Sequence, residues 1–207
     1  MFKKFLLFIS VLMLFSIGAT AISAQSDNIE MDNMVFEIAE DGNRFIFDDQ
    51  NLFDDGMPAY GSAFVTQGYI YPEGTLNGSN GVLENGDPEF PDAVLGTWTC
   101  YGWMIGDGAR TETGEWVVST QIYQFNDGSS IITNGFEIVD FDVPYIRAVT
   151  GGTGDYRGIT GEQIQTLRGF TDTMGVNITV EFQLDDVEMA AANITDIANN
   201  LAIYPWD

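Results

Sequence analysis

Residues 148–166, "AVTGGTGDYRGITGEQIQT", place five glycines in nineteen positions between two stretches that otherwise read as strands. A dinucleotide-binding loop needs G-x-G-x-x-G between a strand and a helix, so that the helix N-terminus meets the pyrophosphate. Here Gly152, Gly154 and Gly158 are spaced one residue too long, and the residues after them alternate like a strand. No G-K-[ST] triplet occurs anywhere in the chain. Spacing and context therefore speak against a phosphate cradle. They favour a turn in a sheet: Gly151, Gly152 and Gly154 bend where a side chain is forbidden, and Gly158 and Gly161 let the next strand start close to its neighbour.

Working outward from this turn, the pattern stays one of strands. In "VNITVEFQL", Val176, Ile178, Val180, Phe182 and Leu184 alternate with polar residues, as a half-buried strand requires. Further strands are expected at 34–38, 44–47, 61–71, 94–105, 115–125, 130–141, 145–150 and 160–170. Turn signals stand between them at Asp41-Gly42, Gly106-Asp107-Gly108 and Asn126-Asp127-Gly128. Only 187–201 could form a short helix. Eight or nine strands joined by short turns argue for a closed barrel or a sandwich, with Tyr156 folded over its end. The segment 72–92, rich in Gly, Pro and Asn, reads as a long loop at one mouth. Several strands are apolar on both faces, as with Trp98, Cys100 and Met104 against Tyr101, Trp103 and Ile105, so an oligomer is expected to cover the outside.

The first residues read as an export leader. Lys3 and Lys4 precede an apolar run, 5–17, that is short for a membrane span, and small residues near 19–24 place cleavage near residue 22 or 25. The expected organisation is a leader (1–24), a linker (25–33), a barrel domain (34–187) and a tail or short helix (188–207), with no membrane span after cleavage and a secreted or periplasmic location. Of 207 residues, 31 are acidic, and the net charge is −24. Removing the leader removes both lysines and leaves Arg44, Arg110, Arg147, Arg157 and Arg168 as the basic side chains. Such a surface repels polyanions, which argues against nucleic acid as a partner. The chain has no histidine and one cysteine. Histidine-dependent triads, ordinary zinc sites and internal disulfides are thereby excluded. Cys100, among aromatic residues, reads as a buried, inert thiol. No metal or cofactor is expected.

The glycine-rich stretch resembles the A-[IV]-T-G-G-x-G-x-[FY] segment of the allene oxide cyclase family and, more loosely, the V-x-G-G-T-G-x-[FY] segment of plant dirigent proteins. The strands "GSAFVTQGYIY", "VLGTWTCYGWMI" and "VNITVEFQL" stand in similar order, so the resemblance covers about residues 34–184. "GTWTCYGWMIGDGA" and "QGYIYPEGTL" also resemble a group of secreted bacterial barrel proteins. The resemblance implies an all-β fold, an eight-stranded antiparallel β-barrel of calycin type that trimerises and holds an elongated apolar cavity. It implies Glu37, in "FEIA", as the catalytic carboxylate of a cofactor-free isomerase or cyclase. It also implies Gln67 as a ligand-binding side chain near the family's bound water. Ala39 departs from the family pattern, where an asparagine helps hold that water.

On physical grounds a carboxylate inside an apolar barrel has a raised pKa and can act as acid or base without histidine. Glu37, Glu137 and Glu162 are the candidates, with Arg147 or Arg168 as an ion-pair partner, while Tyr101 and Trp103 are candidates to line a cavity. Three functions follow: a barrel that binds a small apolar or amphipathic molecule, a cofactor-free isomerase or cyclase, and an acidic structural surface protein without a ligand.

Overall fold

The computed structural model describes residues 34–78 and 80–185. The expected leader, linker and C-terminal tail lie outside the described residues. Nine strands form one antiparallel sheet: β1 (Met34–Glu40), β2 (Ile46–Phe47), β3 (Ala63–Pro72), β4 (Gly96–Met104), β5 (Glu115–Phe125), β6 (Ser130–Ile138), β7 (Pro144–Thr153), β8 (Gly161–Phe170) and β9 (Val176–Leu184). Sequential neighbours pair from β3 through to β9, and β1 then pairs with both β9 and β3. The sheet closes on itself as an eight-stranded barrel, which removes the unpaired edges that an open sheet exposes.

The extra strand, β2, is a continuation of β1. The last pair between β1 and β3 is Glu40↔Gly68, and β2 resumes along the same edge of β3 at Ile46↔Val65. Between them, Asp41 accepts a bond from Asn43 N at 3.0 Å and turns the chain. The bend packs against the β8–β9 turn, where Gly42 N donates to Thr173 Oγ1 at 2.9 Å.

Strand alternation decides what fills the barrel. Phe36, Ile38 and Glu40 share one side of β1, facing inward with Phe64, Thr66 and Ile70 of β3, Trp98, Cys100 and Met104 of β4, Val117 to Tyr123 at odd positions of β5, Ile131, Thr133 and Glu137 of β6, Arg147 and Val149 of β7, and Gln163, Gln165 and Leu167 of β8. A bulge between Glu115 and Val117 lets Trp116 pack against the core as well. One end is closed by aromatic rings. Phe36 meets Phe125 at 5.5 Å and Phe182 at 6.1 Å, and Tyr156 lies over Phe125 at 5.5 Å. The middle is filled by Trp98, Tyr123, Arg147, Gln121 and Gln163, all fully buried. The elongated apolar cavity implied by the family resemblance is therefore absent among the described residues: large side chains occupy that volume.

The segment 72–92 also departs from expectation, since it lies along the wall rather than across a mouth. Leu76 and Val82 pack on Ala39 and Tyr71, outward-facing residues of β1 and β3, as a second small core. Tyr71 Oη donates to Gly81 O at 2.6 Å, and Tyr69 Oη donates to Gly86 O at 2.8 Å. Wall aromatics with a polar tip thus help anchor the loop, which also holds itself through internal bonds such as Glu89 N to Gly81 O and Leu83 N to Asp87 O.

The glycine-rich stretch forms sheet and turn, as its spacing predicts, although β7 runs on to Thr153 before the turn at Gly154–Tyr156. A Cβ on Gly152 would stand 2.4 Å from Ser130 O and 2.6 Å from Tyr156 O, both backbone atoms that cannot yield cheaply. Gly154 has φ +62°, a conformation that side chains disfavour. We expect Gly152→Ala to lower the unfolding free energy by about 2–3 kcal/mol. Gly169→Ala, whose Cβ would meet nothing within 4 Å, should stay within about 0.5 kcal/mol of the parent; urea denaturation of both variants checks the contrast.

Candidate functional site

The sequence-derived candidates divide by strand parity. Glu37 sits on the outer side of β1, opposite the lumen-facing Phe36 and Ile38, and its Oε2 accepts a bond from Leu76 N at 2.7 Å. Gln67 is likewise outward on β3, where Arg44 Nη1 donates to it at 2.8 Å and its own Nε2 donates to Thr99 Oγ1 at 3.2 Å. Tyr101 and Trp103 face outward on β4 and are 41% and 54% exposed, so they line the outer wall and no internal cavity. The physical reason is the same in each case: on β1, β3 and β4 the even-numbered residues point inward. Glu162 is exposed on β8. Of these six candidates, Glu137 is the one in the lumen.

Glu137 is the hub of a buried polar cluster. Arg147 Nη1 stands 3.5 Å from its Oε1. The Ser119 hydroxyl donates to the same oxygen in a short bond, Cys100 Sγ donates to it at 3.4 Å, and Gln165 Nε2 donates to Oε2 at 2.9 Å. Burial alone would push this carboxyl up. The Arg147 guanidinium and the three side-chain donors outweigh burial and hold it below the ordinary carboxylate range. Arg147 is anchored in turn by Phe136 O at 3.0 Å and Ser119 O at 3.0 Å. The network continues across the barrel: Gln121 Nε2 donates to Gln165 Oε1 at 2.9 Å, Tyr123 Oη donates to Gln121 Oε1 at 2.5 Å, and Gln163 Nε2 donates to Tyr123 Oη at 2.8 Å. A buried ion pair held this way is weak support for stability against an apolar alternative, but a costly one to break. Burial also pushes the Cys100 thiol up, with the Glu137 charge adding to the effect, which fits its reading as unreactive.

Between this cluster and the end of the barrel opposite the aromatic plug lies a cavity of about 40 Å³. Its walls include Glu40, Glu137, Cys100, Trp98, Phe64 and Trp116. Phe45 also lines it, with its ring stacked on Phe64 at 5.5 Å. Glu40 is the residue that sequence reading missed. It is buried, Val176 N donates to its Oε2 at 2.6 Å, and burial pushes its carboxyl up to about 7 against the Thr66 hydroxyl and that amide, which favour the charged form. Glu40 keeps the inward parity of Phe36 and Ile38, a signal blurred because Val35 and Ala39 make the other parity apolar too. A carboxyl that titrates near neutrality beside an ionised one has the chemistry of a proton donor and acceptor pair.

Among the described residues no group of three or more Cys, Asp or Glu side chains is placed to hold a metal ion. No described helix is long and apolar enough to cross a membrane.

The pH dependence of stability follows from Glu40. Its raised carboxyl favours the fold fully below its ordinary value of 4.5, and that contribution, on the order of 3 kcal/mol, is lost as pH rises through about 7. Glu137 has the opposite sign, stabilising above the ordinary value and losing effect on acidification. Glu40→Gln keeps an acceptor for Val176 N and removes the ionisation. Thermal melts from pH about 5 to about 8 should fall for the parent and stay flat for Glu40→Gln.

No family model and no curated protein matches the sequence. Among solved structures the fold is similar to a pterocarpan synthase dirigent protein, at a TM-score of 0.50 and 15% identity over 73% of this chain and 91% of that one. A pyocyanin demethylase aligns at a TM-score of 0.48 with 13% identity, over 74% of this chain and 99% of that one. A second pterocarpan synthase dirigent protein aligns at 0.47 with 12% identity, over 73% and 87%. The likeness at these identities is one of fold: an eight-stranded antiparallel barrel of dirigent type.

Proposed function

We propose that the chain is an exported small-molecule-binding barrel that takes an apolar or amphipathic molecule at its Glu40 end. The observation that carries this reading is a near-neutral carboxyl held in a cavity otherwise walled mainly by Phe45, Phe64, Trp98, Met104 and Trp116. About 40 Å³ is room for a water molecule or for the tip of a ligand. The ligand therefore inserts a hydroxyl or carbonyl toward Glu40 and rests its apolar body on Phe45 and Trp116, the half-buried rings at the rim. If proton transfer to the ligand follows, Glu40 is the acid or base, and the isomerase or cyclase reading moves from Glu37 to Glu40. The filled lumen favours a second reading, a structural barrel without a ligand, because Trp98, Tyr123 and the glutamine network leave no space at its centre.

Titration of tryptophan fluorescence with a phenol and with a medium-chain fatty alcohol tests the reading, since Trp98 and Trp116 line the cavity. A saturable change is expected that weakens above pH about 7 in the parent and persists there in Glu40→Gln, which cannot ionise. Titrations without any saturable change, together with native mass spectra free of copurified ligand, would leave the structural reading standing.

The outer wall supports self-association. Val65 pairs with Tyr101, Trp103 with Val118, and Val118 with Phe136, so outward apolar side chains form a band across four strands. Val65, Tyr101, Trp103 and Phe136 are each more than 40% exposed, on a chain that carries 31 acidic residues. Such a band without charge is most readily covered by a second copy of the same surface, and a homotrimer is the assembly we propose. Trp103→Glu should lower the native mass to that of a monomer while leaving the thermal melt of the barrel intact.

A further inference from the structure

A recess outside the barrel plays no part in the site above. A groove of about 590 Å³ runs along the outer face of β8 and β9, walled by the loop 73–78 and Asn80. We propose that this groove is a binding site for a neutral polyhydroxylated ligand, a sugar unit or short glycan.

Its size lies within the roughly 300–1,000 Å³ typical of small-molecule sites. Its chemistry is mixed in a way that suits hydroxyl groups. Phe170 on one side is 44% exposed and is met edge-on by Phe141 at 5.7 Å and 79°. Phe170 thus offers an exposed aromatic surface on which the weakly positive C–H groups of a sugar ring can rest. Acceptors and donors surround it. Glu37 presents a carboxylate oriented by Leu76 N, and Thr179 supplies a hydroxyl in bonding distance of Arg168 Nε at 3.0 Å. Arg168 is further fixed by Asp142 at 2.9 Å, and these two contacts use two of the five N–H donors of its guanidinium.

The groove is also organised in advance of a ligand. Asn80 and Asp172 exchange two bonds, Asn80 Nδ2 to Asp172 Oδ2 at 2.7 Å and Asp172 N to Asn80 Oδ1 at 2.9 Å, which clamp the loop wall to the β8–β9 turn. The floor is low at Gly169, where nothing lies within 4 Å of a would-be Cβ. Charge narrows the ligand class. The Asp142 carboxylate already offsets Arg168, and Glu37 and Glu73 line the recess, so phosphorylated, sulfated or carboxylated ligands meet net repulsion. A hydrocarbon tail would strip water from these carboxylates and amides without replacing their bonds. A neutral polyol replaces them.

The test is NMR on the full chain, by saturation transfer and amide shifts, with cellobiose, maltose and chitobiose as neutral probes and with spermine and a heparin fragment as charged ones. At least one neutral disaccharide should produce saturable shifts at Asn80 and Thr179. Phe170→Ala and Thr179→Val should each weaken its binding at least about tenfold. Glu40→Gln should leave it unchanged, which separates this site from the one inside the barrel. Silence of all three disaccharides up to about 10 mM, binding of spermine or heparin alone, or unaltered affinity in both groove variants would overturn the proposal. Thr179→Val preserves the shape of its strand residue, so the outcome remains decisive even if Phe170→Ala folds poorly.

Discussion

Everything in this barrel depends on β1 holding two partners at once. Residues 36–39 pair with β3 on one side and with β9 on the other, which satisfies the backbone of the first and last strands together. Closure fixes which side chains share the interior. Because a strand alternates, one register choice sends Phe36, Ile38 and Glu40 inward and Glu37 and Ala39 outward. The same choice, carried round the ring, sets Glu137 and Arg147 face to face and turns Tyr101 and Trp103 away from them.

The interior that results is polar at its heart. A lumen holding Glu137, Arg147, Ser119, Gln121, Tyr123, Gln163 and Gln165 is bonded largely through mutual contacts, although Arg147 Nε and Gln163 Oε1 stay buried without a hydrogen-bond partner, which adds to its cost. Glu40 lacks the facing cation of Glu137 and has fewer side-chain donors. Two carboxylates within one barrel end thereby acquire opposite shifts, one held down by a guanidinium and the other pushed up by burial.

The strands and the fold were legible in the sequence because turn residues and two-residue alternation mark them directly; β5 and β9 match their expected bounds at both ends. The site was not legible for a related reason. In "MVFEIAE" both parities carry apolar residues, since Ala39 is buried on the outside beneath Leu76 and Val82. In "GTWTCYGWM" both parities carry aromatics, since Tyr101 and Trp103 belong to an exposed apolar band. Where both faces of a strand are greasy, composition cannot say which one faces the lumen. Alternation on β6 would have sent Glu137 outward, since Phe136 and Ile138 carry the opposite parity, and it was reached only as one of several barrel carboxylates; the loop 72–92 was misplaced because Leu76 and Val82, which seat it on the wall, are sparse apolar residues in a glycine-rich run.

The interruption between β1 and β2 gives this barrel an uneven seam. Seven staves run unbroken, whereas the eighth is held by short segments on either side of a five-residue bend, and its second segment touches one neighbour over two residues. Cooperative units with the fewest ladder bonds are the first to breathe. Amide protons near Phe45–Phe47 should therefore exchange with solvent through openings that spare the rest of the wall. Such an opening would loosen the Phe45 ring, which lines the same cavity as Glu40, so the weakest stave borders that recess.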